Sequence, residues 1–513
     1  MPQHPLSGQV KAGLLVLLVA GGALRLWGIG AGAPYRMGAD EPVVLQTALG
    51  IVKSGDFNPH FFDYGGLFFS LHAAVSSVAF LNGAMDGRWR SLDSVWIGNL
   101  LTATRIATAL IGTLTILMVF RAGLRWGPRV ALVAALAMAI LPPHVRESHF
   151  TLTDTPLTFL VAAALLLSLR AAEVRTYTAV AIAGFVVGLA GAVKYNGILA
   201  VVMPLVAVFA LPRAARGRAA AIAVAAAIGG FLAGAPYSLF DLPAFLNAFA
   251  ALMQSYNLTR PVTESASIYV GHLRNWYSWP GVLPLGLGYL GLGVILAGLA
   301  IADRRVMPPA PRLAALVLAL FPLAYFAYIA DHGSLIYGRY LLPIAPMLAI
   351  GFGIGGTGLA RVIGRRLPSL ERWALPIVLV VLVAPQIGVV VTWNREHDRP
   401  STLDQTATWL LMHVHEGQVV AMEGAPIQVP PRLVLRRVPR LTESTIDQYR
   451  AAGIEYLVAT SEISPTLGAP GAFSAGDVAA SRALLDRCTR VQTFEPNAVR
   501  SGPTVAILQL PAP

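Results

Sequence analysis

Two adjacent carboxylates, Asp40 and Glu41, close the run Arg36-Met37-Gly38-Ala39-Asp40-Glu41, just after the first long apolar stretch of the chain. Pro42 and the apolar residues 43–51 follow, so a helix starts here and either acid suits its N-cap. Capping needs only one of the pair, which leaves the other for work as a general base. A second run, Asn58-Pro59-His60-Phe61-Phe62-Asp63-Tyr64-Gly65-Gly66, sets Asp63 among aromatics beside a glycine pair, where a backbone can approach a ligand closely. A solvated turn acid is the plainer reading of Asp63. A third run, Glu147-Ser148-His149-Phe150-Thr151-Leu152-Thr153-Asp154-Thr155-Pro156, puts Asp154 at the mouth of an apolar helix. An unpartnered acid is costly there, and Thr153 or Asp154 is also a natural N-cap.

The matching cations are Lys194, at the end of an uninterrupted apolar run, Arg339 in Tyr337-Gly338-Arg339-Tyr340, and Arg274 beside His272. Arginine offers a bidentate fork and lysine a point charge, so all three suit a lipid phosphate; snorkelling toward headgroups is the alternative. Arg36, Tyr64, His149 and Tyr337 fall in the same motifs and are expected to line the substrate cavity. No resident cofactor is demanded. The one metal site the pattern offers is a divalent cation between Asp63 and His272.

The elements that must hold these residues are membrane helices. Only 12% of the 513 residues are charged and 56% are hydrophobic, with a mean hydropathy of +0.64. Soluble domains carry about 25% charge. Apolar runs near the roughly 20 residues that a bilayer requires lie at 11–28, 97–120, 129–143, 153–169, 177–194, 196–212, 219–236, 282–302, 312–330, 340–359 and 374–392. About eleven spans are therefore predicted. Arginines crowd alternate loops: 121, 125 and 129; 170 and 175; 213, 216 and 218; 304, 305 and 312; 361, 365, 366 and 372. The positive-inside rule makes these loops and the N-terminus cytoplasmic. Eleven acids, including Asp40, Glu41, Asp63, Glu147 and Asp154, then fall in outer loops. Two outer loops, 29–96 and 237–281, are long and aromatic, and both are expected to contain helices lying in the interface plane.

Residues 393–513 read differently. They hold 11 Arg against 12 Asp and Glu, while the first 392 residues hold 27 Lys and Arg against 14 acids. The basic excess is thus a topology signal of the membrane part, and a nucleic-acid partner is excluded. Helices at 402–414, 442–452 and 479–487 alternate with strands at 418–422, 456–459 and 504–510. That alternation predicts a small extracytoplasmic α/β domain after a 1–392 membrane domain. The lone Cys488 rules out an intrachain disulfide.

These residues, in this order, resemble the GT-C membrane glycosyltransferases, in the branch of protein O-mannosyltransferases and aminoarabinose transferases (glycosyltransferase family 39-like). The resemblance covers most of residues 20–345. It rests on Leu24-Arg25-Leu26, Asp40-Glu41, Asn58-Pro59 and the aromatic-Gly stretch after it, Thr153-Asp154-Thr155-Pro156-Leu157, Gly191-Ala192-Val193-Lys194-Tyr195 and Gly338-Arg339-Tyr340-Leu341-Leu342-Pro343. Asp447-Gln448-Tyr449-Arg450 with the strand after it is similar to the extracytoplasmic domain of bacterial members. The resemblance implies a GT-C-like fold and an inverting transfer of a sugar from a polyprenyl-phosphate donor. It assigns the catalytic base to Asp40 with Glu41 beside it, a second acidic role to Asp154, and donor-phosphate contacts to Lys194 and Arg339. At Tyr64 the sequence departs from the aminoarabinose transferases, which carry a Glu-Lys pair where this chain has Asp63-Tyr64.

The expected protein is then a multi-pass plasma-membrane (inner-membrane) glycosyltransferase. Its partners are a polyprenyl-phosphate sugar, membrane lipid and an acceptor hydroxyl on protein, lipid or glycan. The alternative is a polytopic lipid or sugar transporter or flippase, which needs ionisable residues near the bilayer midplane. Here they cluster at span ends, with Arg105 the exception.

Overall fold

The computed structural model describes residues 6–38, 40–256, 260–275, 312–332, 336–424, 427–468 and 473–511. The chain divides into two compact units. One comprises residues 1–27, 46–78 and 104–394; the other comprises 28–45, 79–103 and 395–513. The second unit therefore takes in two stretches of the first long loop as well as the C-terminal residues.

The membrane part is helical: α1 (Gly8–Leu26), α2 (Glu41–Ser54), α3 (Gly66–Met85), α4 (Leu101–Gly123), α5 (Pro128–Ala139), α6 (Pro142–Glu147), α7 (Asp154–Val174), α8 (Tyr177–Val193), α9 (Val202–Ala207), α10 (Arg213–Gly234), α11 (Tyr237–Phe240), α12 (Leu242–Tyr256), α13 (Val262–Asn275), α14 (Arg312–Asp331), α15 (Ala345–Arg366) and α16 (Glu371–His397). Among the described residues, eight helices are long and apolar enough to cross a membrane, and three shorter apolar helices accompany them. The predicted span at 282–302 lies outside the described residues, as do 276–281 of the second long loop.

Two expectations change. Residues 66–85, expected to lie in the interface plane, form a 20-residue helix that meets the length and hydropathy of a span. The reason is compositional: no Asp, Glu, Lys or Arg interrupts it from Gly66 to Met85. The expected 129–143 span instead breaks at Leu141. Pro142 cannot continue α5 and starts α6, which carries the chain toward Asp154. In the second long loop α12 and α13 form where amphipathic helices were expected, with Leu242, Leu246, Val262 and Val270 exposed.

Helices α8 and α10 press together backbone to backbone. A Cβ on Gly188 would overlap the Ala227 carbonyl, and one on Gly230 the Phe185 carbonyl. Small residues permit such approach where water offers no hydrophobic drive. This contact holds α8, from whose end Lys194 emerges.

In the second unit, five strands form one sheet in the order β2-β1-β3-β5-β4, with β1 (Val419–Glu423), β2 (Val434–Val438), β3 (Ile454–Thr460), β4 (Thr489–Phe494) and β5 (Val505–Gln509). The β1–β2 and β1–β3 pairs are parallel, and β5 is antiparallel to β3 and β4. Strand alternation sends Val420, Met422, Val458 and Ile507 to one face, against Leu403, Ala407 and Leu410 of α17 (Thr402–His413). Ala421, Leu457 and Ala459 face the other way, onto Ile446 and Tyr449 of α18 (Ile446–Ala451) and Leu485 of α19 (Ala475–Leu485). Ser401 caps α17 in a capping box with Asp404. The expected helix at 442–452 starts later, at Ile446, because Thr445 and Gln448 form the capping box there.

Candidate active site

The loop before α3, the end of α8, the start of α7 and the segment before α15 meet in the membrane unit. Val193 ends α8 and Lys194 turns out of it in an extended conformation. Its Nζ donates to Asp154 Oδ1 at 2.9 Å. Arg339 Nε lies 3.6 Å from Asp154 Oδ2, so one carboxylate is clasped by two cations. Asp154 is 3% exposed, while Lys194 and Arg339 keep 15% and 20%. A buried acid is tolerated when paired in this way, and the cations retain an open side. Thr153 occupies the N-cap position of α7 without a side-chain cap bond, and Asp154 turns toward the cations instead of capping.

Aromatic rings complete the cluster. Lys194 sits 4.5 Å over the Tyr340 ring and Arg339 4.5 Å over Tyr337. Nearby, buried Glu147 accepts from Arg146 Nε at 2.9 Å and Nη2 at 2.6 Å. Burial pushes the Glu147 carboxyl above its ordinary value, opposed by the Arg146 charge. Counting Arg146, Lys194 and Arg339 against Glu147 and Asp154, the formal charge is positive by one.

Beside this cluster opens a small cavity of about 60 Å³. Lys194, Asp63 and Tyr64 line it, with Tyr195, Asn196, Leu252, Met253, Tyr256, Tyr269, Tyr328, Ile329, His332 and Tyr340. Tyr195 OH donates to the Phe62 carbonyl at 2.6 Å and Asn196 Nδ2 to Tyr325 OH at 2.9 Å, which steadies the wall. Asp63 is reached from the cavity, yet crowding by its neighbours pushes its carboxyl above the ordinary aspartate value. The glycine pair after it serves packing and not a ligand. Gly65 N–H donates to Val193 O at 3.2 Å, and a Cβ on Gly65 would overlap the Ala192 carbonyl. That contact seats Asp63 and Tyr64 beside Lys194.

Other expected residues sit elsewhere. His149 is fully buried and does not line the cavity; its ring nitrogens lie 2.8 Å from Val145 O and 2.9 Å from Trp27 O. Arg36 is held in the second unit, 3.5 Å from Asp404, with its strand bridge to Ile427. It therefore has structural partners among the C-terminal residues. Tyr337 serves as the ring beneath Arg339 and is itself exposed. Arg274 lies in the last turn of α13 and His272 packs against Gly338; neither is among the cavity-lining side chains. Asp63 and His272 thus have different surroundings. Among the described residues there is no group of three or more His, Cys, Asp or Glu placed to hold a metal.

At the head of α2 the adjacent acids divide their tasks. Glu41 is fully buried and its Oε2 accepts the Gly38 N–H at 2.7 Å, so it braces the turn that leads into the helix. Asp40 keeps a half-buried side chain, and its carbonyl accepts the Val44 N–H at 3.2 Å.

The tyrosines of the wall were missed by motif reading. A usable signal was present: Phe321, Tyr325, Tyr328 and His332 recur every three or four residues along α14, a helical stripe of amphipathic rings.

Residues 94–240 match the family described as dolichyl-phosphate-mannose-protein mannosyltransferase. That segment contains Glu147, Asp154 and Lys194. The fold is similar to ArnT from Cupriavidus metallidurans, solved bound to undecaprenyl phosphate, with a TM-score of 0.56 at 16% identity, covering 97% of this chain and 98% of that one. It is also similar to the oligosaccharyltransferase of Archaeoglobus fulgidus, solved with Zn and sulfate, with a TM-score of 0.56 at 15% identity, covering 96% of this chain and 72% of that one. No curated protein matches the sequence. The resemblance drawn from the motifs is borne out: the chain has the GT-C fold, and residues 94–240 are similar to the protein-mannosyltransferase family.

Proposed function

We propose that this GT-C-fold protein is an inverting glycosyltransferase that moves a sugar from a polyprenyl-phosphate donor to an acceptor hydroxyl at the outer face of the membrane. One observation carries the reading. Lys194 and Arg339 clasp a single buried carboxylate, Asp154, and the side of Lys194 opens into a tyrosine-lined cavity. Two cations against one acid leave a positive charge matched to the single negative charge of a sugar phosphodiester. Asp154 holds the cations apart and in place, so they need not reorganise when the leaving phosphate gains charge. The tyrosines offer hydroxyls to a sugar and ring faces to a prenyl chain.

In the reaction, the acceptor oxygen attacks the anomeric carbon. The bond from that carbon to the phosphate oxygen breaks, and its electron pair leaves with the polyprenyl phosphate, where Lys194 and Arg339 neutralise it. The acceptor proton passes to a carboxylate base, the role we assign to Asp40. Glu41, bonded to the Gly38 N–H, holds the turn that carries Asp40. A divalent cation at the donor would find one carboxylate, Asp63, and one imidazole, His332, in the cavity lining. That is too few side-chain ligands for a resident ion, so no step runs through a metal. The alternate arginine-rich loops support a cytoplasmic N-terminus and an outward-facing cavity.

The test is sugar transfer in membranes supplied with polyprenyl-phosphate mannose and its hexose and pentose counterparts. Transfer by the native chain, lost in Lys194→Ala and Asp40→Asn, supports the reading. A polyprenyl-phosphate sugar consumed equally by all three would refute it.

A further inference from the structure

Among the described residues, the acids around the site in the membrane unit have partners, with one exception. Asp154 is clasped by Lys194 and Arg339, and Glu147 is held by Arg146. Asp241 accepts from Asn58 Nδ2 at 2.9 Å, and Asp56 meets His60 at 2.8 Å. Glu264 and Asp331 lie 3.7 Å from Arg260 and His332. Asp63 is the exception: it lines the cavity and makes no hydrogen bond or ion pair with any described residue. Burial pushes its carboxyl above the ordinary aspartate value, with no neighbouring charge opposing it.

The backbone of Asp63 is nonetheless held on both sides. Tyr195 OH lies 2.6 Å from the Phe62 carbonyl and 3.3 Å from the Tyr64 carbonyl, and Gly65 N–H donates to Val193 O at 3.2 Å. The segment that carries Asp63 is thereby fixed to the two residues flanking Lys194, and acid and cation belong to one wall.

A carboxylate that is fixed, open to a cavity and without a donor is set for donors that arrive with a ligand. The cavity of about 60 Å³ has room for roughly four water-sized groups. A sugar phosphodiester brings a phosphate and hydroxyls. The phosphate suits Lys194 and is repelled by an acid. An ammonium would meet Lys194 on the same wall. Attack in an inverting transfer comes from the face opposite the phosphate, so an acid beside Lys194 is on the wrong side to take the acceptor's proton. The hydroxyls remain, and a carboxylate can accept two of them at once.

We infer that Asp63, on the polyprenyl-phosphate reading of the donor, is the residue that recognises the sugar: its two oxygens accept adjacent ring hydroxyls while Lys194 holds the phosphate.

The test is equilibrium binding by the purified full-length protein in detergent, with bare undecaprenyl phosphate and with undecaprenyl-phosphate mannose, glucose, galactose and arabinose. In the native chain at least one sugar should tighten binding over the bare lipid phosphate by about 10-fold or more, the range of hydrogen bonds to a charged group. Asp63→Ala should lose that gain and still bind bare undecaprenyl phosphate as the native chain does. Asp63→Asn, with one carbonyl oxygen left, should keep part of the gain. A merely structural Asp63 would weaken both kinds of lipid together. The assignment is overturned if no sugar tightens native binding, if the gain survives Asp63→Ala, or if that variant loses the bare lipid phosphate equally. Failure of the native chain to bind bare undecaprenyl phosphate would take down the donor reading first, and this assignment with it.

Discussion

Two buried cationic sites in the membrane unit use the same residue types for opposite ends. Arg25, fully buried near the end of α1, donates to the carbonyls of Gly21 and Ala139 through Nη1 at 2.8 and 2.9 Å. Its Nη2 donates to Met138 O at 3.0 Å and lies 2.9 Å from His144 Nδ1. These partners are neutral and mostly backbone, and they sit at the break between α5 and α6, where a helix end leaves carbonyls without intrahelical partners. The guanidinium acts as a rivet. Lys194 and Arg339 are instead held by one carboxylate, stacked on tyrosines, and left partly open beside a cavity. Burial and charge alone do not mark function. The difference is whether the cation still has a face for something not yet bound.

That contrast can be broken in several ways. The largest expected effect is chemical: Asp40→Asn should lower sugar transfer by about 10³-fold, the range of a lost general base, with donor binding unchanged. Equal turnover in the variant removes Asp40 from the mechanism. Next, Lys194→Ala or Arg339→Ala should cost about 10²–10³-fold in kcat while the melting temperature falls little. Arg25→Ala should do the reverse. It strands the Ala139 and Met138 carbonyls and should destabilise the protein by about 3 kcal/mol, seen as a lower melting temperature, with near-native kcat in the folded fraction. If Arg25→Ala abolished turnover in stable protein, the rivet reading would fall.

A smaller effect belongs to the C-terminal sheet. Glu423, at the end of β1, is buried and its carboxylate accepts the Thr460 and Leu441 N–H groups at 3.1 and 3.2 Å. Burial nonetheless pushes its carboxyl above the ordinary glutamate value of 4.5. The folded state therefore holds this proton more tightly than the unfolded state. Stability from this group is fully present below pH 4.5 and is lost as pH rises through the elevated folded value. Glu423→Gln should flatten that slope in melting temperature measured against pH. A slope unchanged by the substitution contradicts it.

Much of this was legible in the residues. Lys194, Arg339 and Asp154 were singled out because charge at span ends is costly without a purpose, Asp63 and Tyr64 because they stand in an aromatic-glycine run, and the fold brings all five together. The three central strands of the sheet were readable as apolar runs. The edge strands β2 and β4 were not: Val434–Val438 carries Arg436 and Arg437, and Thr489–Phe494 is largely exposed, so neither shows a buried-strand pattern. His149 and Arg36 were misread because a motif gives no direction. One turned inward to backbone carbonyls, the other to Asp404. The Gly65-Gly66 pair was read as room for a ligand, and the space is filled by α8 at Gly65 and by the end of α10 at Gly66. Proximity to a helix that is distant in sequence is what local spacing does not encode.

The most direct measurement is donor binding by the purified native chain and by Lys194→Ala/Arg339→Ala, with undecaprenyl phosphate titrated in detergent. The account predicts saturable binding by the native chain and at least a 100-fold weaker dissociation constant in the double variant, assayed at a temperature where both proteins are folded, since stranding Asp154 lowers the variant's melting temperature. Equal affinity in the two would contradict it.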